Sequence, residues 1–472
     1  FWLKAVLAQC VGAPAHLRVV VPLMAGPGPM AGISCIVAAT VLATHCLAAN
    51  PHPDLGGYRP ASNVVEHSQI ALDIKDFTTA VNNGDWTTAK TIYTDGRYSC
   101  KSATSRRTLQ GFVNLKTVTD KLTGEAFFSS FTSGNGPINA PIPGSGGRLG
   151  LTGTFWDKFM MDALQGEGNF NGASIAMRKM AVKKGVLGVL TMYTTHELES
   201  AISKMPNTDD AGGAPHAWDE GWAFYYGSHV SDSGADSGEY DGAYSAWEFA
   251  YKRDIDYGYA SNGDRTDAVL GSADILPHFR HGLNASRSGN VTEMVAARNN
   301  IYRLLALASI RAALKYAYKA QHPYSDEYLM EAYVYFLCAA GWVEQASSDV
   351  GKNVLALLDY KHNSTQLTPD LYCAVKAALI PAYEALGLDC QKVGTWKELP
   401  SGKTCNVTCP TVQDDLPTGL QSYVPDTDTS AGNNVDCHPD YQLSSTETES
   451  SAALGASGIS LAAVLCTILR YS

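Results

Sequence analysis

The densest group of chemically useful side chains lies between His216 and Tyr226. Pro215 suits the first position of a helix, because its missing N–H costs nothing there. On such a helix His216, Asp219 and Glu220 occupy positions i, i+3 and i+4, so they project from one face. Tyr226 follows Asp219 by seven residues and lies almost in line with it. An imidazole, two carboxylates and a phenol on one surface predict a site for a hard cation, above all ferric iron.

A second group begins at Tyr193 and reads Tyr-Thr-Thr-His-Glu-Leu-Glu. On a helix Tyr193, His196 and Glu197 share one side, and His196 and Glu199 are i, i+3 neighbours. The group resembles the start of the zinc-protease motif His-Glu-x-x-His, but Ser200 occupies the position of the second histidine. That substitution removes the ligand set of a zinc protease. We therefore expect the two groups to build one site for Fe³⁺.

The candidate ligands of this iron site fall into two ranks. The first-choice ligands are His196, Glu197, His216, Asp219, Glu220 and Tyr226. The second choices are Tyr193, Glu199 and Glu331. Carbonate would complete the coordination if a cation held it, and the cations nearest by motif are Lys252 and Arg253.

A competing interpretation needs no metal. In it the carboxylates pair with Lys252 or Arg253, and the neighbouring aromatic side chains are core residues. These aromatic residues are Trp218, Trp222, Phe224 and Tyr225. We favour core packing for all four, and Tyr225 points to the helix face opposite the candidate ligands.

Helices are the elements that must position these groups, because apolar residues recur at helical spacing while strand-like alternation is scarce. The sequence predicts an all-α fold. The predicted helices are 65–81, 84–93, 155–165, 173–205, 215–227, 243–252, 266–283, 291–321, 324–348, 351–361 and 368–386. Asn82, Asn83 and Gly84 break the first two into a hairpin, and the Gly-, Ser- and Pro-rich segment 102–150 is mainly loop.

The sequence also suggests an internal repeat. Glu220-Gly-Trp-Ala-Phe-Tyr aligns with Glu331-Ala-Tyr-Val-Tyr-Phe. In the same register Tyr193, His196 and Glu197 correspond to Ala313, Tyr316 and Ala317, so the polar set belongs mainly to the first half. We predict two related helical halves, 50–262 and 263–390, that bury their faces against each other. The alternative is that amphipathic helices resemble one another without common origin.

Composition limits the function classes. The 472 residues are 45% hydrophobic, enough for one large core or two modest ones. Only 17% are charged, the net charge is −11, and no dense Lys/Arg stripe is present, which argues against nucleic acid as a partner. The sequence contains no Gly-x-Ser-x-Gly elbow, no P-loop and no dinucleotide fingerprint after a strand.

The two ends of the chain indicate export and attachment to a surface. Residues 1–29 are upstream sequence or an incomplete amino terminus, and 30–49 match a secretory signal. Residues 391–450 form a Cys-rich loop and polar stalk, and 451–472 resemble the signal for a GPI lipid anchor, with a single-pass anchor as the rival. Four glycosylation sequons begin at Asn284, Asn290, Asn363 and Asn406.

Cysteines support an extracellular location. Five of them crowd the carboxy-terminal part, where disulfides would pin a loop-rich segment: Cys373, Cys390, Cys405, Cys409 and Cys437. Cys405 and Cys409 are spaced like half of a zinc site, but no second pair matches them. The odd number of cysteines outside the two end segments leaves one thiol over, and Cys338, within an apolar helix, is the candidate.

Three segments carry a family resemblance. They are 219–227 (Asp-Glu-Gly-Trp-Ala-Phe-Tyr-Tyr-Gly), 247–253 (Trp-Glu-Phe-Ala-x-Lys-Arg) and, within the predicted helix 173–205, the stretch 183–198, which begins Lys-Lys-Gly and ends His-Glu-Leu. They resemble the algal low-iron-inducible periplasmic proteins, which include iron-assimilation proteins of green algae and are related to phytotransferrins. The likeness covers roughly residues 65–390 and is clearest over 170–260.

The resemblance implies a secreted or surface-held protein that captures ferric iron for uptake, with carbonate assisting as in phytotransferrins. A surface iron reductase or permease is the expected protein partner. No family motif fixes the ligands, so the site residues rest on helix-face geometry. The competing classes are a carboxylate-metal enzyme, an oxidase or hydrolase, and a metal-free surface glycoprotein. The enzyme is disfavoured because a di-metal bundle needs Glu-x-x-His on two helices, whereas His196-x-x-Glu199 is reversed and occurs once.

Overall fold

The computed structural model describes residues 54–114, 155–228, 244–261 and 274–410. All of these residues belong to one unit, His52–Ser472. The predicted secretory signal and the carboxy-terminal anchor signal lie outside the described residues. So does the part of the predicted Cys-rich loop and polar stalk that follows residue 410.

The amino-terminal elements are short helices and one small hairpin of strands. The helices are α1 (Val65–Ser68), α2 (Ile70–Asn83), α3 (Trp86–Asp95), α4 (Gly111–Asn114) and α5 (Phe155–Gln165). Strands β1 (Cys100–Ser102) and β2 (Ser105–Arg106) pair antiparallel between α3 and α4. A 3₁₀ turn, Gly168–Phe170, follows α5.

Longer helices form the rest of the described fold. They are α6 (Ile175–Lys204), α7 (Ala214–Tyr226), α8 (Ala246–Tyr257), α9 (Ile275–Ser288), α10 (Val291–Lys319) and α11 (Asp326–Ala346). The last three are α12 (Ser348–Leu357), α13 (Leu371–Tyr383) and α14 (Cys390–Val393).

Helix α6 lies at the centre of the packing. It contacts α7 and α11 extensively and also touches α2, α4, α5, α8 and α10. From Ala181 to Ala201 nearly every residue of α6 is buried, including polar ones such as Thr194 and Glu197. A helix that is buried on all sides has no solvated face for its charged residues, so those residues must find partners inside the protein.

Local sequence signals explain where the helices start and stop. Gly84 ends α2 in the left-handed conformation at φ 74°, and the Asp85 side chain then caps α3 by accepting the Thr88 N–H. Gly289 ends α9 at φ 76°, and Asn290 caps α10. Each such cap stabilises its helix by about 1 kcal/mol.

The all-α prediction is confirmed, because every described element longer than four residues is helical. The observed bounds of α5, α6, α7, α10 and α11 fall within two residues of those predicted. The strand pair at 100–106 was not predicted, since two strands of three and two residues are too short for an alternating pattern. The internal duplication stays a prediction.

The aromatic residues of α7 are core residues, as expected. Trp218, Trp222, Phe224 and Tyr225 are each at most 1% exposed. The indole N–H of Trp218 donates to the Phe279 carbonyl at 2.8 Å. Helix α9 can approach this closely because Gly282 faces the Trp218 ring, and a Cβ at that glycine would overlap the ring.

Two disulfides pin the carboxy-terminal part of the described chain. Cys373 pairs with Cys405, and Cys390 pairs with Cys409, so the two cysteines spaced like a zinc pair belong to disulfides instead. Cys338 is a free, buried thiol on α11. Among the helices that the structure describes, none has the length and apolar character needed to cross a membrane.

Candidate metal centre

Three side chains from two helices converge on one point, and we call them the imidazole cluster: His67, His216 and Glu220. Oε1 of Glu220 lies 2.8 Å from Nε2 of His67 and 3.1 Å from Nε2 of His216. One ligand atom from each residue lies within 4.8 Å of the others. Metal–ligand bonds of about 2 Å place neighbouring donors about 3 Å apart, so the three donors fit a single ion with small adjustments.

Helices α7 and α1 bring the cluster together. His216 and Glu220 lie one turn apart on α7, which begins at Ala214 with Pro215 in its first turn. His67 comes from the four-residue helix α1, which packs on α7. The rings of His67 and His216 meet edge to face, with centroids 6.0 Å apart. The i, i+4 spacing predicted from the sequence therefore supplies two of the three donors.

Behind His216 a chain of hydrogen bonds fixes the orientation of its ring. Nδ1 of His216 lies 2.7 Å from the Ser62 hydroxyl, which donates to Oδ2 of Asp219 at 2.9 Å. Asp219 also accepts from the Ser62 N–H and, at 2.7 Å, from the Tyr58 hydroxyl. With Nδ1 engaged in this way, the ring is held so that Nε2 faces the cluster, and metal-bound histidines are likewise held through their second nitrogen.

Asp219 therefore lies behind the cluster instead of inside it. Its side chain is fully buried, and burial raises its pKa to about 6 although the hydrogen bonds from Tyr58 and Ser62 pull in the opposite direction. Asp219 and Glu220 are adjacent on α7, so their side chains leave the helix about 100° apart. One carboxylate supports His216 through Ser62, and the other faces both imidazoles.

The protonation states of the cluster suit a cation. Burial lowers the pKa of His67 and outweighs the opposing effect of Glu220, so this imidazole is neutral at neutral pH. Burial alone would raise the pKa of Glu220, but its hydrogen bonds to His216 and His67 hold that pKa well below the usual range. Within the described chain, Nδ1 of His67 has no hydrogen-bond partner. The cluster thus offers a carboxylate and imidazole nitrogen without first losing a proton from His67 or Glu220.

Arg107 borders the cluster. Its guanidinium contacts Nε2 of His67 and donates to the carbonyl of Cys100. Burial lowers the pKa of Arg107, whereas the negative charges of Glu220 and Glu197 act to raise it. A half-buried guanidinium beside a candidate metal site gives that site a cation able to hold an anion.

The second predicted group shares a neighbour, Phe224, with the imidazole cluster. The Phe224 ring is 5.6 Å from the His67 ring and 4.8 Å from that of Tyr193, edge to face with both. Tyr193 stacks on the His196 ring at 5.3 Å and donates a hydrogen bond to Glu197. Burial and the charges of Glu197 and Glu220 raise the pKa of Tyr193 well above its usual value, so the group is a phenol. Tyr193 therefore interacts electrostatically with Glu197 of its own group and with Glu220 of the imidazole cluster.

Two other predicted ligands have structural partners. Both carboxylate oxygens of Glu199 accept from Nη1 of Arg298, at 2.8 and 2.9 Å, and Oε1 also accepts from the Tyr302 hydroxyl at 2.6 Å, which ties α6 to α10. Tyr226 stacks on Trp222 with centroids 5.5 Å apart and meets the Trp247 ring edge to face. The structure places neither side chain among the donors of the imidazole cluster.

The remaining predicted residues lie around α8 and α11. Oε2 of Glu331 is 3.5 Å from Nζ of Lys184, and Nη2 of Arg253 is 2.7 Å from Oδ2 of Asp256. Lys252 is half-buried on α8. Glu331 and Arg253 thus make ion pairs with residues that do not belong to the imidazole cluster.

His67 and Arg107 were not found in the sequence. His67 lies alone in a predicted helix far from both motifs, and a single histidine carries no spacing signal. Arg107 falls in the segment 102–150 that was assigned mainly to loop. One signal pointed to a further ligand. Each of the two motif helices carries a single histidine, so a site with two imidazoles from one region needs a histidine from another segment.

Comparison with known proteins agrees with this chemistry. No curated protein and no solved structure matches the chain. A family model described as low iron-inducible periplasmic protein matches residues 32–413, which include the whole imidazole cluster. The match confirms the resemblance drawn from 219–227 and 247–253. It covers most of the chain, which therefore belongs to the family of low iron-inducible periplasmic proteins.

Proposed function

We propose that this protein captures ferric iron outside the cell and assists its uptake, with the imidazole cluster as the binding site. One observation carries the proposal: His67, His216 and Glu220 present ligand atoms within 4.8 Å of one another in a chain whose family is named for induction by low iron. Imidazole and carboxylate donors bind iron, and three of them leave further coordination positions open.

Oxygen donors beside the cluster favour Fe³⁺ over softer ions. The Tyr193 phenol and the Glu197 carboxylate are hydrogen-bonded to each other and interact electrostatically with the same guanidinium, that of Arg107. Ferric iron prefers carboxylate and phenolate oxygens. Because the pKa of Tyr193 is raised, an ion that uses this oxygen must displace its proton, so binding releases a proton.

Arg107 supports a role for carbonate as co-ligand. The sequence pointed to Lys252 and Arg253 as the cations that hold this anion, whereas the structure places Arg107 against His67. We propose that an arriving ion takes over Nε2 of His67, and that the guanidinium released from this contact binds carbonate next to the ion. A bidentate guanidinium–oxyanion contact is among the strongest that arginine makes.

Titration of the purified protein with ferric nitrilotriacetate in bicarbonate buffer tests this function. We expect one ion per chain, with a visible phenolate-to-iron absorption band. His216→Ala should abolish high-affinity binding. His281→Ala is the matched control, because Nε2 of His281 lies 2.8 Å from Oε2 of Glu293 and His281 is not part of the imidazole cluster. Full ferric affinity in His216→Ala would contradict the assignment of the site.

The carbonate role has its own readout. Removing bicarbonate from the buffer should weaken ferric binding by the wild-type protein, and Arg107→Gln should bind weakly with or without bicarbonate. If the wild type binds iron equally well in both buffers, the ion uses protein ligands and water alone.

We further propose that the protein is a glycosylated cell-surface protein held by a lipid anchor, which delivers iron to a surface reductase or permease. The asparagines of all four sequons are exposed, as glycosylation requires. Release of the protein from intact cells by phosphatidylinositol-specific phospholipase C is the expected result for a lipid anchor. A protein retained after this treatment would instead be attached in another way.

One observation favours a second candidate, an iron enzyme. Two imidazoles and one carboxylate with open positions are the donor set of non-haem Fe(II) oxygenases. Adding Fe²⁺ in air while oxygen consumption is recorded separates the candidates. Uptake of oxygen that ends when one equivalent of iron has been oxidised is expected for capture, whereas continued turnover with excess Fe²⁺ indicates the enzyme.

A further inference from the structure

The three donors of the imidazole cluster have a metal preference of their own, apart from the oxygen groups beside them. Two donors are imidazole nitrogens, Nε2 of His67 and Nε2 of His216, and the third is Oε1 of Glu220. Two imidazoles and one carboxylate are a known set of protein ligands for zinc, with water in the fourth position. Ferric iron prefers carboxylate and phenolate oxygens, and the cluster itself contains only the carboxylate.

Coordination number separates the two kinds of ion. Zinc is usually four-coordinate and tetrahedral, so the cluster supplies all its ligands but one. An octahedral ion would obtain only half of its ligands from the same donors. Bonds of about 2 Å at tetrahedral angles place neighbouring donors about 3.3 Å apart. Oε1 of Glu220 lies 2.8 Å from Nε2 of His67 and 3.1 Å from Nε2 of His216, so small outward movements are enough to admit zinc.

Charge also favours a divalent ion at this point. Glu220 is the one carboxylate among the donors, so Zn²⁺ bound with neutral imidazoles leaves a net charge of +1, whereas Fe³⁺ leaves +2. The half-buried guanidinium of Arg107 lies against His67 and adds further positive charge. Because uncompensated charge is costly in a buried site, a trivalent ion needs the Tyr193 phenolate or an added anion. A divalent ion needs neither.

The surroundings of His216 suit a zinc ligand. Its Nδ1 is held 2.7 Å from the Ser62 hydroxyl, which in turn donates to Asp219. Zinc-bound histidines are commonly held through their second nitrogen in this way, and the supporting carboxylate raises the basicity of the ligand. The side chain of His216 is 23% exposed, against 7% for His67, so His216 is the imidazole more open to an arriving ion.

We propose that the imidazole cluster is a zinc site in its own right, in which Zn²⁺ binds Nε2 of His67, Nε2 of His216 and the carboxylate of Glu220, with water in the fourth position. Any preference for iron then comes from groups outside the cluster, the Tyr193 phenol and the Arg107 guanidinium. This inference uses the donors of the proposed ferric site and does not depend on ferric capture. The two ions exclude each other because they need the same donors.

Arg107 should affect the two ions in opposite directions. Its guanidinium contacts Nε2 of His67, so either ion must displace it. Beside ferric iron the displaced guanidinium has a role, because we propose that it binds carbonate there. Beside zinc it remains a positive charge next to a cation, which is unfavourable. Replacing Arg107 with glutamine should therefore weaken ferric binding and strengthen zinc binding.

The experiment titrates Zn²⁺ into the full-length chain, purified without a histidine tag, in buffer that contains neither iron nor bicarbonate. A competing zinc chelator sets the affinity scale, and Co²⁺ in place of zinc reports the geometry through the intense visible bands of a tetrahedral ion. The variants are His67→Ala, His216→Ala, Tyr193→Phe and Arg107→Gln. His281→Ala is the matched control, because Nε2 of His281 lies 2.8 Å from a carboxylate oxygen, that of Glu293, outside the imidazole cluster.

We expect one zinc ion per chain and a tetrahedral Co²⁺ spectrum. His67→Ala and His216→Ala should each lower zinc affinity by more than about a hundredfold, since losing even a partner of a ligand costs about 10–100-fold. Tyr193→Phe and His281→Ala should stay within about threefold of wild type. Arg107→Gln should bind zinc about threefold more tightly or better.

Several results would overturn the zinc site: an octahedral Co²⁺ spectrum, equal zinc affinity in wild type and both cluster variants, or weaker zinc binding in Tyr193→Phe or Arg107→Gln. Should the histidine variants fail to fold, wild-type protein loaded with one equivalent of iron decides, because it should take up no zinc at this affinity. Ferric binding without zinc binding contradicts this inference alone. Zinc binding without ferric binding contradicts only the proposed function.

Discussion

Glu220 and Glu331 occupy corresponding positions in the proposed repeat, yet different basic groups lie beside them. Both are on helices, α7 and α11, that pack against α6. Glu220 faces the imidazoles of His67 and His216, whereas Glu331 faces the ammonium group of Lys184. Imidazoles offer lone pairs to a cation once they are neutral, and an ammonium group offers none. The neighbours of a buried carboxylate therefore decide whether it can serve as a metal ligand.

Residue exchanges on α6 and α10 reinforce this difference. His196 of α6 aligns with Tyr316 of α10, and Tyr193 and Glu197 align with alanines. In the structure His196 lies beside Tyr193, while Tyr316 lies beside Tyr335. The candidate metal-binding groups are therefore found beside α6 and have no counterparts at the aligned positions of α10.

The comparison is tested most directly by replacing each glutamate with glutamine, which removes the negative charge and keeps the size of the side chain. Glu220→Gln removes a charged ligand from the imidazole cluster, and we expect ferric affinity to fall about a thousandfold, as losing one partner of a buried charged pair costs about 3–5 kcal/mol. Glu331→Gln should change ferric affinity by less than about threefold. Competition with a ferric chelator measures both, and circular dichroism checks the fold. Equal losses would mean that the two regions are not chemically distinct.

Ser62→Ala tests the support behind the metal ligands. The change removes the hydroxyl that links Asp219 to Nδ1 of His216. Losing such a partner weakens metal binding by about 10–100-fold. Chelator competition is measured on Ser62→Ala and on the control Ser203→Ala, whose hydroxyl donates to the Ser200 carbonyl in its own helix. An unaltered affinity in Ser62→Ala would show that His216 needs no such support.

Acid sensitivity tests the participation of Tyr193. His67 has a lowered pKa and stays neutral as the pH falls through 6.5, and Glu220 has a lowered pKa and stays ionised, so neither releases a proton at neutral pH. The pKa of Tyr193 is raised, so iron must displace its proton. Ferric affinity should then rise about tenfold per pH unit around neutrality through this group alone. Tyr193→Phe should lower that slope by one proton and remove the absorption band; an unchanged slope excludes a phenolate ligand.

The helices could be predicted because their signals are local. Gly84 with Asp85, and Gly289 with Asn290, mark helix ends whose caps are visible in the sequence. His216 and Glu220 could be paired because helix geometry alone sets their separation. Such signals require no knowledge of which helix packs on which.

The rest of the site depends on contacts between distant segments. His67 and Arg107 reach Glu220 and its neighbours because α1 and the chain after β2 pack near α7, and no residue spacing encodes that packing. Asp219 was predicted as a ligand from its helix face, but Tyr58 and Ser62 from the amino-terminal segment engage both of its oxygens. Face geometry identifies which side chains point together, and tertiary packing decides what each one meets.

The hydrogen bond between Ser62 and His216 spans 154 positions of the chain. A nascent polypeptide that lacks either end of this span cannot assemble the donors, so the proposed site would form only after residue 220 has been synthesised. A bound ion would also act as a removable staple between the two ends and make the loaded form harder to unfold, in proportion to the logarithm of the free metal concentration. If the ion is bound as proposed, its release would remove this cross-link between the amino-terminal segment and α7.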